Sequence, residues 1–112
     1  MPNTPQSTHE RAAEVFSRRV RERHSGAVDM VMLFGSAARG EARGKDSDVD
    51  LLVIVCDGDE DVEDDVRDLA YDLELEYGVP FSLVVKTESE YERQRSRPFL
   101  RTVEGDANVL YG

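Results

Sequence analysis

The 112-residue sequence predicts an α/β (α+β) fold, a mixed sheet with helices packed mainly on one side. Three observations predict it. Segments of helical and of strand period alternate along the chain. The run Leu51-Leu52-Val53-Ile54-Val55 is unbroken and apolar, the mark of a strand covered on both faces. The apolar run Val31-Met32-Leu33-Phe34 stops abruptly at Gly35-Ser36, where glycine permits a tight turn. At this length the chain makes one domain over residues 1–112, with no room for a second core.

Residues 1–6 read as a frayed tail. Ser7-Thr8-His9-Glu10 fits a capping box, and the helix it opens runs to about His24, burying Ala12, Ala13, Phe16 and Val20. The other face carries Arg18, Arg19, Arg21 and Arg23, a solvated surface or a partner contact. Ser25-Gly26 ends the helix. Ala27 to Phe34 is the first strand, followed by a short helix from Ser36 to about Ala42. Arg43 to Ser47 is the returning loop, with Arg43 and Lys45 facing solvent. Asp48 to Val55 is the second strand.

Asp57 is placed as the cap of the next helix, with Glu60 as its box partner. Val62, Val66, Leu69, Ala70, Leu73 and Tyr77 form its buried stripe up to Gly78, and its many acids cover the wet face. Val79 to Lys86 is the third strand, with Pro80 suggesting an entry or edge position. Thr87 to Glu90 caps a helix carrying Tyr91. Pro98 either breaks it or starts another helical piece with Phe99, Leu100 and Val103, and Ala107 to Tyr111 closes as a short strand.

The chemistry gathers between residues 33 and 55. A strand puts residues i and i+2 on one face, roughly 6–7 Å apart, so Asp48 and Asp50 point the same way. Two like charges at that spacing repel by about 2–3 kcal/mol at an effective dielectric near 20. A cation between them relieves this, and hard oxygen ligands suit Mg²⁺ or Mn²⁺. The Gly35-Ser36 turn offers backbone N–H groups and a hydroxyl, a combination that receives phosphate. An anion seat beside a dicarboxylate metal seat makes a site for a metal-chelated nucleoside triphosphate. The bland alternative leaves Asp48 and Asp50 as merely solvent-facing strand residues; the coincident Gly-Ser turn disfavours it.

Phe34-Gly35-Ser36, then Arg39-Gly40, then Ser47-Asp48-Val49-Asp50-Leu51-Leu52 resembles the signature of the DNA polymerase beta-type nucleotidyltransferase superfamily, and within it the minimal nucleotidyltransferases. The resemblance is sharp over residues 31–55 and diffuse elsewhere. It implies the polymerase beta-like nucleotidyltransferase fold and ATP as donor. It also implies Asp48 and Asp50 as catalytic metal ligands, and Gly35, Ser36 and Arg39 as nucleotide-binding residues. As acceptor it implies a hydroxyl of a partner protein, as in antitoxins that adenylylate a HEPN toxin. One departure stands out. The superfamily carries a third carboxylate on the following strand, and here Ser82 occupies that place. A neutral serine puts turnover in doubt more than binding, so a catalytically impaired nucleotide- or partner-binding module is the rival reading.

Composition bounds the rest. No run approaches a membrane span, and no basic segment followed by an apolar one marks a secretory signal. The single Cys56 excludes an internal disulfide and fits a reducing cytoplasm. The net charge of −10 argues against nonspecific binding to nucleic acid. Acidic residues in excess, with two lysines against twelve arginines, are also the habit of proteins from a salt-rich cytoplasm, a halophilic source. Composition leaves the oligomeric state open.

Overall fold

The computed structural model describes residues 7–40 and 47–111. The expected tail over 1–6 and the exposures expected of Arg43 and Lys45 lie outside them. Four strands form one sheet: β1 (Val28–Phe34), β2 (Val49–Val55), β3 (Phe81–Thr87) and β4 (Asn108–Tyr111), in spatial order β3-β2-β1-β4. β1 runs antiparallel to β2 and β4, while β2 and β3 are parallel, so the sheet is mixed. β2 is therefore interior and β3 lies at an edge, one of the two positions that Pro80 suggested.

Helix α1 (Thr8–His24) starts where its capping signal stands: the Ser7 side chain accepts from the Glu10 N–H at 3.0 Å. Ala12, Ala13, Phe16 and Val20 are all fully buried. With helix α3 (Glu63–Tyr77), α1 covers the sheet face made by Val31, Leu33, Val49, Leu51, Val53 and Val55. The arginine face of α1 is not simply wet. Arg19 pairs with Glu76 at 3.4 Å and Arg23 with Asp65 at 3.3 Å, so part of it answers the acidic face of α3. Gly78 ends α3 with φ +69°, a left-handed cap that glycine adopts without a Cβ penalty.

The opposite sheet face carries two shorter helices, α4 (Glu88–Gln94) and α5 (Pro98–Asp106). Tyr91, Leu100 and Val103 pack there on Met32, Leu52 and Ile54. A capping box of Thr87 and Glu90 opens α4, and Pro98 starts α5, where its missing N–H costs nothing. The Tyr91 hydroxyl donates to Glu104 at 2.6 Å, and Arg95 donates to the same carboxylate at 2.9 Å, which locks α4 to α5.

Two expectations are corrected. Asp57 does not cap the helix that follows it. Its carboxylate accepts from the Ser89 N–H (3.1 Å) and hydroxyl (2.5 Å), serving the start of α4, while a 3-10 turn over Glu60–Val62 leads into α3. Proximity in space to α4 overrides proximity in sequence. The short helix after β1 is α2 (Gly35–Ala38), which starts one residue before the expected Ser36 and is capped at Arg39; Ala42, its expected end, lies outside the described residues. None of the described helices is long and apolar enough to cross a membrane.

Candidate active site

The site forms where the end of β1, the turn into α2 and the starts of β2 and β3 meet. Asp50 pairs directly with Phe34 across the antiparallel ladder and with Ser82 across the parallel one. Register partners share a face, so Phe34, Asp50 and Ser82 all project to the α4/α5 side, with Leu52 and Ile54 further along β2. Asp48 lies just before β2 and is exposed, whereas Asp50 is half-buried.

Gly35 is the closest neighbour that the sequence placed beside this pair. It has φ +75°, and a methyl group built on it would collide with the Asp50 carboxylate, lying 3.1 Å from its Cγ. Glycine is thus required twice, by backbone conformation and by the carboxylate folded over it. No described side chain caps the first turn of α2, which begins at Gly35 against the Asp50 carboxylate.

Burial pushes the Asp50 carboxyl above its ordinary range, and the negative charge of Asp48 pushes it further; Arg39 acts in the opposite direction. Arg39 therefore lies within electrostatic reach of the carboxylates. Its guanidinium also pairs with Asp106 at the end of α5, at 2.8 Å. Asn108 donates to the Ala38 carbonyl at 3.1 Å, a second tie from the C-terminal segment to α2.

Sequence reasoning missed His9. It is 3% exposed, and its Nε2 lies 2.9 Å from the Ser47 carbonyl, the backbone step before Asp48. A carbonyl oxygen only accepts, so Nε2 carries the proton. The first turn of α1 is thereby fastened to the segment that delivers both aspartates. A lone histidine in a helix gives no sequence signal for this contact, which spans 38 residues.

The five expected residues Gly35, Ser36, Arg39, Asp48 and Asp50 thus fall in one neighbourhood, with Ser82 beside Asp50 and His9 behind Ser47. Among the described residues no three acidic, histidine or cysteine groups cluster as a metal cage. The donor set is two carboxylates and a serine. That suits a cation that brings other ligands with it, because two carboxylates leave most of an octahedral shell to phosphate and water.

The family model of the nucleotidyltransferase domain matches residues 13–103. The chain belongs to this family. It is similar to a Methanocaldococcus jannaschii protein named as a putative protein adenylyltransferase, at 34% identity over 91% of this chain and 97% of the relative. Among solved structures it resembles a putative minimal nucleotidyltransferase, with TM-score 0.60 and 34% identity over 95% of this chain and 98% of the other. The fold is also that of a structure described as a tri-AMPylated Shewanella oneidensis HEPN toxin in complex with an MNT antitoxin. There the TM-score is 0.53 at 18% identity, covering 89% of this chain and 72% of the other.

Proposed function

We propose that this site holds ATP chelated to Mg²⁺ or Mn²⁺, and that the reaction it is arranged for is transfer of AMP to a hydroxyl of a partner protein. The observation that supports it most is the packing of Asp50 over Gly35, which sets a carboxylate pair against a turn of free N–H groups. Asp48 and Asp50 would hold the cation, and Gly35 and Ser36 would seat the β- and γ-phosphates. Arg39 would reach the triphosphate from its place beside Asp106. The metal, when bound, supplies neutralisation of phosphate charge.

In the transfer, the acceptor oxygen forms a bond to the α-phosphorus as the bond to the bridging oxygen breaks. Pyrophosphate leaves with that electron pair, and the hydroxyl proton passes to solvent or to a carboxylate. What the chain itself contributes is alignment and a fixed electrostatic frame. The Methanocaldococcus relative supports the adenylyl donor, and the HEPN complex of a fold neighbour supports a HEPN-domain acceptor. The acidic composition supports a salt-rich cytoplasm as the setting.

A second reading rests on Ser82. It stands in register beside Asp50, where a carboxylate would complete the metal site and serve as base. A neutral hydroxyl does neither well, so a chain that binds Mg-ATP and transfers slowly is the alternative. Transfer from α-labelled ATP to a HEPN-domain protein, in high salt, separates the two. Strong transfer by the wild type, abolished by Asp50→Asn and unimproved by Ser82→Asp, supports the enzyme. Weak transfer raised tenfold or more by Ser82→Asp supports the impaired module. ATP affinity that is the same with and without metal overturns both.

A further inference from the structure

Four large apolar side chains stand exposed among the described residues: Tyr71, Leu75, Phe99 and Val109. Tyr71 and Leu75 lie on α3, behind the opposite sheet face, and Val109 lies on the edge strand β4. Phe99 alone stands next to the site. It sits in the first turn of α5, 51% exposed, with its ring edge-on to Phe34 at 6.1 Å between centroids and 86° between planes. Phe34 in turn is the residue directly opposite Asp50 and immediately before Gly35.

We propose that Phe34 and Phe99 form an aromatic ledge that receives the nucleobase of the bound nucleotide, with Phe99 presenting the stacking face. The proposal rests on the reading of Asp48, Asp50 and the Gly35-Ser36 turn as the nucleotide's phosphate and metal seat. Its logic is spatial. Side chains of directly opposed strand residues stand about 4.5–5.5 Å apart at Cβ, so Phe34 borders the Asp50 carboxylate, and the half-exposed Phe99 is in ring contact with Phe34. In a nucleotide the base stands one ribose away from the α-phosphate, in the same order: charge, spacer, flat apolar surface.

The ledge is also held for this use. The two rings are nearly perpendicular, and contact with Phe34 leaves half of Phe99 open. α5 is held to the sheet by buried Leu100 and Val103, and its last turn is tied through Glu104 to Tyr91 and Arg95 and through Asp106 to Arg39. A rigid exposed aromatic loses little freedom when a base stacks on it. Stacking on an aromatic side chain is typically worth enough that alanine substitution weakens binding about tenfold or more.

The chain contains no tryptophan, so Phe99→Trp introduces a single indole at the ledge. With Mg-ATP its emission should change, while Mg-tripolyphosphate, which carries the phosphates and no base, should leave it unaltered. Phe99→Ala should weaken Mg-ATP about tenfold and leave tripolyphosphate within twofold, with its thermal transition close to wild type because the side chain is half outside. Equal responses to ATP and tripolyphosphate, or ATP affinity unchanged by Phe99→Ala, overturn the ledge. The double variant Asp48→Asn/Asp50→Asn serves as the control. If it binds ATP as tightly as the wild type, the nucleotide seat itself is wrong and the ledge falls with it. If it loses ATP while Phe99→Ala does not, only the ledge is wrong.

Discussion

The two faces of β2 differ by one position, Asp50, the residue proposed above as a metal ligand. On the α1/α3 face Val49, Leu51, Val53 and Val55 are all sealed, with exposures of 0–1%. On the α4/α5 face Leu52 and Ile54 are sealed equally well, but Asp50 is only half-covered. On the first face the strand is buried from Val49 to Val55. On the second the burial stops short of Asp50, which stays half-open beside Gly35 and Ser82. One strand thus anchors the core with one set of residues and presents chemistry with the other. The proposed metal ligand sits where the cover ends.

The largest expected effect comes from closing that opening. Gly35→Ala sets a methyl group against the Asp50 carboxylate and forces a left-handed backbone on a residue with a Cβ. Left-handed strain and the displaced carboxylate together should cost about 2–4 kcal/mol in denaturant unfolding. Metal-dependent ATP binding, followed by calorimetry, should disappear as well. A stable variant with normal Mg-ATP affinity would show that the close approach of Gly35 and Asp50 is incidental.

His9 tests whether the two faces communicate. It belongs to α1, a helix of the sealed face, yet it holds the segment that enters the open one. Phenylalanine at position 9 fills similar space but removes the His9 donor to the Ser47 carbonyl, which should cost about 0.5–1.5 kcal/mol. Gln retains a side-chain N–H donor and should recover part of the loss. Mg-ATP affinity should follow the same order: wild type, then His9→Gln, then His9→Phe. If stability falls while affinity does not, the contact serves folding alone.

How much of this could be read from the chain follows from the range of each interaction. Local signals gave true elements: Ser7 with Glu10, Thr87 with Glu90, Gly78 at a helix end; Pro98, left open between breaking one helix and starting another, starts α5. The strand pattern gave Asp50 and Leu52 a shared face and gave Leu51 to the core. The nearness of the candidate residues Gly35 and Asp50 was legible for the same reason. The partnerships that escaped reading are long-range. His9 meets Ser47, Asp57 meets Ser89, Arg39 meets Asp106, and Phe34 meets Phe99. Each depends on how helices dock on the sheet, which no local period encodes. Ser82 beside Asp50 was legible only through the family resemblance, and the parallel register places it there independently.

The smallest expected effect removes the difference between the faces altogether. Asp50→Asn keeps the shape and deletes the charge. Burial and Asp48 raise the folded pKa of Asp50 above its ordinary value of 3.8, with Arg39 only partly offsetting them. A raised folded pKa means that the folded chain holds this proton more tightly than the unfolded one. The resulting stabilisation is fully present below pH 3.8 and is lost as pH rises through the folded pKa. At neutral pH without metal, the wild type therefore carries a buried charge that the variant lacks. Because Asp50 is partly open to solvent, screening keeps the effect small, and the variant should melt only about 2–4 °C higher. The advantage should shrink towards zero as both proteins are taken below pH 3.8, while other carboxylates affect the two alike. Mg²⁺ with ATP should reverse the order at neutral pH, raising the wild type and leaving the variant where it was. An Asp50→Asn protein less stable than wild type at pH 7 without metal would mean that the carboxylate already has a compensating partner in the fold, and the open position would then be structural rather than chemical.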